Sequence, residues 1–313
     1  MKIRAVSIGE AVPRERFDAV IQSVFDSALN LRLADEEHLI ALVISDHYEL
    51  PQGIRIVTKG LSLRTLTPGL RVATRSGILR FDSSSLSVDL RGASVWKCRV
   101  PELGLNMQSH TAQQAWSTTW TLLNQEQRHK NTELLADDLF RPHTGSPLSQ
   151  RISKPVTSLV TSTDEFNPRG ALHAAGQMIG LGPGVTPSGD DILIGFLAGL
   201  WSMAGENGHQ LAFIRSFGRE LIQLAKGTSE ISRTYLYHAA QGQFSSSLSH
   251  LAEAITTSDC VEEAARAAMR VGHSSGMDAV TGLLIGLCVW NIPSPLYPSP
   301  AGRGDGGEGK DYL

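Results

Sequence analysis

Residues 188–200 read SGDDILIGFLAGL, and residues 275–287 read SGMDAVTGLLIGL. The stretches lie 87 residues apart and agree at seven of thirteen positions: Ser188/Ser275, Gly189/Gly276, Asp191/Asp278, Gly195/Gly282, Leu197/Leu284, Gly199/Gly286 and Leu200/Leu287. They are the two most apolar segments of the chain, and each opens with Ser-x-x-Asp, close to a capping box. We read them as structurally equivalent helices. Each carries glycines at i and i+4, which fall on one helix face. A glycine in a helix interior costs about 1 kcal/mol against alanine, and close backbone packing would offset that cost. The two helices are therefore expected to cross at Gly195/Gly199 and Gly282/Gly286, with their N-termini within reach of each other.

Upstream of the first helix stands GLGPGVTPSGDD (180–191). Capping explains part of it: either Ser188 is the cap, or Thr186 is with Pro187 at the first helical position. Capping does not call for Gly182, Gly184 and Gly189 together, nor for two adjacent acids. Glycines that let a backbone approach a ligand, with Asp190 and Asp191 able to hold Mg²⁺ through its waters, read as a phosphate-plus-metal site. Bare acids would repel a phosphate, so a bridging cation is the natural solution. The loop lacks the GK[ST] of a P-loop, and no strand leads into it as a dinucleotide fingerprint requires.

The second helix follows GHSSGMD (272–278). His273 reads either as a core histidine or as a proton carrier and donor to a phosphate or carbonyl oxygen. Ser274, Ser275 and Gly276 add hydroxyls and a backbone amide. A third helix start, GTSEISR (227–233), presents Thr228, Ser229 and Ser232, with Arg233 either a solvated face charge or an anion ligand. Three small, polar, glycine-flanked helix N-termini make three candidate anion sites.

Further out, the chain divides. Residues 14–30 place Phe17, Val20, Ile21, Val24, Phe25 and Leu29 at helical spacing. HLIALVISD, GIRIVT, LRVAT, GILRF, SLSVDL and VWKCRV then read as short strands of an antiparallel sheet or barrel. After Pro101 the pattern turns helical, with one or two polar helices over 110–140 and nearly continuous helix from about 165. The expected fold is α+β: a small antiparallel β-rich domain over 1–105, a mainly helical domain over 106–291, and a Pro- and Gly-rich disordered tail over 292–313.

Composition bounds the function. In 313 residues, 41% are hydrophobic and 19% charged, with a net charge of −3. No basic stripe suggests nucleic acid, and no apolar run reaches the roughly 20 residues needed to span a bilayer. Three scattered cysteines fit a reducing cytosol. There is no HxxxH or HxH pair.

GLGPGVTPSGDD, followed by TSEIS at 228–232 and GHSSGMD with its Gly-rich helix, resembles one family over most of the chain. That family is named for a subunit of oxamate carbamoyltransferase. This sequence has Val185 where the family tends to have Leu, and Thr228, Ser229 and Ser232 where it tends to have a Thr-Thr-x-x-Ser-like run. The resemblance implies one subunit of a three-component enzyme of anaerobic allantoin breakdown. It would interconvert oxalurate plus phosphate with oxamate plus carbamoyl phosphate, using Mg²⁺. The site read from the residues agrees in kind: the metal would sit on Asp190, Asp191 and Asp278, with His273 and Asp191 catalytic. Carbamoyl phosphate, oxamate or a similar small anion would lie against Gly182, Gly184, Thr186, Ser188, Gly189, Ser229, Ser232, Arg233, Ser274, Ser275 and Gly276. Two other readings compete: a non-catalytic assembly subunit, and an independent Mg²⁺-dependent phosphotransferase or hydrolase.

Overall fold

The computed structural model describes residues 1–290 except 35–37, 47, 59, 83 and 141–144. The expected tail at 292–313 lies outside the described residues. Among the described residues nine strands come first: β1 (Lys2–Gly9), β2 (Asp18–Val24), β3 (Ala28–Leu33), β4 (Leu39–Ile44), β5 (Gly53–Ile56), β6 (Arg71–Arg75), β7 (Ile78–Phe81), β8 (Ser87–Asp89) and β9 (Ser94–Trp96). The helices follow: α1 (His110–Lys130), α2 (Pro147–Asp164), α3 (Pro168–Gly176), α4 (Ser188–Ala204), α5 (Gly208–Leu224), α6 (Glu230–Ala240), α7 (Ser246–Thr257), α8 (Val261–Met269) and α9 (Ser275–Gly286). The α+β class holds.

Two sequence expectations are corrected in the β part. Residues 14–30 hold no helix. Phe17, Ala19 and Ile21 are buried at alternate positions, and β2 pairs antiparallel with β3 at Val20↔Arg32 and Ile21↔Leu31. Period two wins over the helical stripe because Val20, Ile21 and Val24 are β-branched and a pairing partner follows at once. The sheet is also mixed rather than antiparallel. Strands β4 and β5 pair in parallel, as does β1 with β8 at Lys2–Arg4 and with β9 at Ser7–Gly9. Since β1 also pairs antiparallel with β5, strands β1 to β8 close into a ring, which leaves few open edges.

Leu29, Leu31, Ile40, Leu42, Ile54 and Ile56 fill the barrel. Their neighbours Ala28, Asn30, Ala41 and Val43 point the other way, and the β3–β4 register sets Ala28 opposite Val43 and Asn30 opposite Ala41. LIALVI in β4 is apolar throughout because it is covered on both faces. The outward face meets α6 and the start of α7. Leu39 N–H donates to Thr234 Oγ1 at 3.1 Å, Arg32 pairs with Glu230 at 2.5 Å, and the Glu49 N–H donates to Ser246 Oγ at 2.9 Å.

Helices α4 and α9 form the centre of the helical part and cross at the repeated glycines. A Cβ on Gly195 would overlap the Ala279 carbonyl, and one on Gly282 the Ile192 carbonyl. One on Gly199 would come within 2.7 Å of Leu283 O. From the side, Trp116 of α1 donates its indole N–H to Leu284 O at 2.8 Å. The expected crossing is therefore present. No expectation covered α2, which contains Pro155.

Gly195→Val is expected to destabilise the chain by about 3 kcal/mol or more, at or above the usual range for overpacking, because the obstruction is backbone. Gly208→Ala, with nothing within 4 Å, should be neutral or stabilising. Urea denaturation of both variants checks this, and equal effects would sink the crossing as the reason for the glycines.

Candidate functional site

The loop before α4 turns through Gly180, Gly182 and Gly184, all with positive φ. A Cβ on Gly182 would press on Ser188 N at 2.7 Å, whereas Gly184 faces open space. Side chains from three elements hold the loop. Asp190 accepts from Gly180 N–H at 2.8 Å and from the Thr228 hydroxyl at 2.5 Å. Ser229 donates to Val185 O at 2.6 Å and accepts from Ser232 N–H at 3.1 Å. Thr186 and Ser275 share a hydroxyl–hydroxyl bond of 2.7 Å, joining the loop to the head of α9.

These bonds revise the capping readings. Neither Ser188 nor Thr186 caps α4: Pro187 takes the N-cap position, and no side chain bonds the first amides. Ser274 heads α9, likewise without a side-chain bond. Backbone carbonyls serve instead. Gly189 N–H donates to Leu181 O at 2.8 Å and Gly276 N–H to Val271 O at 2.9 Å. Added Cβ atoms on these two glycines would overlap the Met178 and Ala268 carbonyls, so packing within the chain accounts for both. Ser229 does cap α6, which takes up one amide of the third expected anion site.

The three aspartates have different fates. Asp190 is wholly committed to Gly180 and Thr228. Asp191 and Asp278, one turn into their helices, are 5% and 1% exposed. By strict geometry Asp191 Oδ2 and both Asp278 oxygens have no hydrogen bond, although the Ser275 and Thr186 hydroxyls stand near Asp191 and those of Ser188 and Ser274 near Asp278. Burial raises the Asp191 carboxyl well above the usual range, with Asp278 and then Asp190 adding to it. Burial likewise pushes Asp278 up to about 7, against the lowering effect of the Ser188 and Ser274 hydroxyls. Among the described residues no group of three His, Cys, Asp or Glu side chains is placed to share a metal ion. The three-aspartate metal set is thus reduced to a pair, because Asp190 is held elsewhere.

Asp191 lines a cavity of about 320 Å³ between barrel and helices, and Asp278 does not. Thr186, Ser275 and Gly276 also line it. His273 is exposed on the turn before α9 and does not line the cavity, nor does Arg233. His273 thus stands outside the cavity lining, next to Gly272, which is part of it. Residues that the sequence did not single out do line it: Tyr48 after β4, Tyr235 and His238 on α6, and Gln52 and Gln243. Ile231, Tyr235 and His238 follow at i, i+4 and i+7, one face of α6, which is the available sequence signal. His238 Nδ1 bonds Gln243 Oε1 at 2.9 Å, and burial lowers its pKa to about 4, so the ring is neutral at pH 7. Burial, and then the Asp191 charge, push the Tyr235 phenol up to about 12. Among the described residues no lysine or arginine lines the cavity.

Two buried groups tilt stability in opposite senses. Asp278 holds its proton to about 7 when folded but only to the ordinary carboxylate range when unfolded. The folded chain then binds more protons between about pH 4 and 7, so this contribution is lost as pH rises. His238 is lowered from the ordinary imidazole value to about 4, so its contribution is lost as pH falls from about 6.5 to about 4. With chelator present, Asp278→Asn should exceed the wild type in stability near pH 8 by a few kcal/mol and match it near pH 4. His238→Gln should flatten the acid side. Urea midpoints across this range decide, and an unchanged pH profile in Asp278→Asn would remove the buried-acid assignment.

Among the described residues no helix is long and apolar enough to cross a membrane. No solved structure matches the chain significantly. The family model for oxamate carbamoyltransferase subunit AllH matches residues 178–287, which take in the loop, α4, α6 and α9. The AllH family N-terminal domain matches residues 4–95, the span of the barrel. Together these cover well over half of the chain, which belongs to the AllH family of oxamate carbamoyltransferase subunits.

Proposed function

We propose that this chain carries the substrate cavity of a carbamoyltransferase that works with partner subunits. The reaction would interconvert oxalurate plus phosphate with oxamate plus carbamoyl phosphate. The observation that carries this reading is the Asp191–Asp278 pair: two buried carboxylates faced only by hydroxyls, Asp191 lining a cavity in which, among the described residues, no lysine or arginine stands. Such a pair is costly unless a proton or a cation compensates it.

The residues suit Mg²⁺. Asp191 and Asp278 offer hard carboxylate oxygens, and the hydroxyls of Thr186 and Ser275 are close by. Mg²⁺ held there would offset the charge of the phosphate that the apolar cavity alone repels. The amide nitrogen of oxamate attacks the carbamoyl carbon, a C–N bond forms and the C–O bond to phosphate breaks. The proton shed by nitrogen leaves on hydrogen phosphate, so no protein base is required. Neutral His238, fixed by Gln243, orients the acceptor, and Tyr48 and Tyr235 exclude water beside it. A second reading follows from the absence of lysine and arginine in the lining: a partner subunit completes the site with cationic side chains, and this chain positions the acceptor only.

Calorimetry of carbamoyl phosphate with the purified chain separates these readings. Binding that requires Mg²⁺, and weakens at least tenfold (about 1.4 kcal/mol) in Asp191→Asn and Asp278→Asn, is expected. Asp191→Asn binding like the wild type would end the metal assignment. No binding by the wild type would favour the partner-completed site.

A further inference from the structure

Bonds within the fold do not satisfy one polar group in the cavity wall. Gln52, His238 and Gln243 line the cavity and also a second cleft beside His38 and Tyr237, so their side chains form the partition between the two. His238 Nδ1 and Gln243 Oε1 bond each other at 2.9 Å. Gln52 takes no part in that bond. It is 4% exposed, and among the described residues its Oε1 is buried with no hydrogen-bond partner. A buried amide oxygen left so is costly, and folded chains rarely leave one.

The backbone around Gln52 is held firmly. Its carbonyl accepts from Ala41 N–H at 3.0 Å, Pro51 O from Ala11 N–H at 2.9 Å, and Leu50 O from Gly53 N–H at 3.0 Å. The Glu49 backbone and Ser246 exchange two bonds of 2.9 Å, which tie the same turn to α7. The carboxamide is thus presented from a fixed turn, as recognition requires. It carries one acceptor and two N–H donors. A primary amide ligand offers the complementary set, so the two can pair edge to edge. Oxamate is a primary amide, and its nitrogen is the atom that attacks. Leu50 and Phe244 also line the cavity, and an apolar surround strengthens such a bond.

We infer that Gln52 is a specificity-determining residue for the carbamoyl acceptor: its Oε1 accepts from the amide N–H of oxamate and sets the attacking nitrogen against the partition, beside His238. This rests on the cavity being the acceptor site of the proposed carbamoyltransferase.

Pyruvate is the control ligand, since it keeps the carboxylate and α-carbonyl of oxamate and carries a methyl in place of the NH₂. Calorimetry of the full chain with Mg²⁺ compares the two. The wild type is expected to bind oxamate about tenfold or more tighter than pyruvate, because the methyl leaves Oε1 unpaired. Gln52→Met, similar in size and without the amide, should bring that ratio near unity with pyruvate binding little changed. Gln52→Glu, which keeps the shape and an acceptor oxygen, should retain a preference for oxamate, and its ratio decides if Gln52→Met binds neither ligand. A wild-type ratio near unity, an unchanged ratio in Gln52→Met, a lost preference in Gln52→Glu or no oxamate binding by the wild type overturns the inference. Those outcomes leave the carbamoyl phosphate titration above untouched. The expected ratios with no carbamoyl phosphate binding would instead count against the proposed reaction alone.

Discussion

The backbone contact between α4 and α9 governs the rest of the helical part. With glycine at 195, 199, 282 and 286, each helix lies against the other's carbonyls. That approach leaves the two N-termini side by side. Each start is followed one turn later by an aspartate, so the crossing brings Asp191 and Asp278 together in the interior. The hydroxyl pair Thr186–Ser275 then bridges the two heads. Gly195, Gly199, Gly282 and Gly286 do not line the cavity, yet they fix the position of Asp191, which does.

The barrel supplies the opposite wall. Strands β3 and β4 are covered on both faces, and the alternation that sends Leu29, Leu31, Ile40 and Leu42 inward sends Ala28, Asn30, Ala41 and Val43 toward the helices. Alanine at two of those four positions leaves space rather than filling it. Bonds from Leu39, Arg32 and Glu49 to α6 and α7 hold the rim of that space. The cavity is thus a product of docking, bounded by elements that are remote in sequence.

This explains what the sequence revealed and what it hid. The α4/α9 equivalence was legible because glycine spacing at i and i+4 has few other uses in an apolar helix. Strands from Leu39 onward were legible from their turn residues. The segment at 14–30 was not, since Phe17, Val20, Ile21 and Val24 satisfy a helical stripe while the true register depends on β3. Barrel closure depends on β1 meeting β5, a pairing with no local signal. Tyr48, Tyr235 and His238 are ordinary residues until the barrel docks. His273 looked functional by its place beside Ser275, but the turn carries it out to solvent.

The adjacent acids Asp190 and Asp191 show most clearly why a motif underdetermines a site. They differ by one helix position, about 100° around the axis. Asp190 therefore meets Gly180 and Thr228, which donate one hydrogen bond to each of its oxygens, and acts as a clasp for the loop. Asp191 meets Asp278 and the cavity, where among the described residues only the Ser275 and Thr186 hydroxyls face its charge. A clasp alone would be served by one acid, and helix packing alone would favour an apolar residue at 191 and 278. The pair that remains lowers the stability of the folded chain at neutral pH. Under the proposed function, a cation held by the pair would account for a cost that the fold by itself does not.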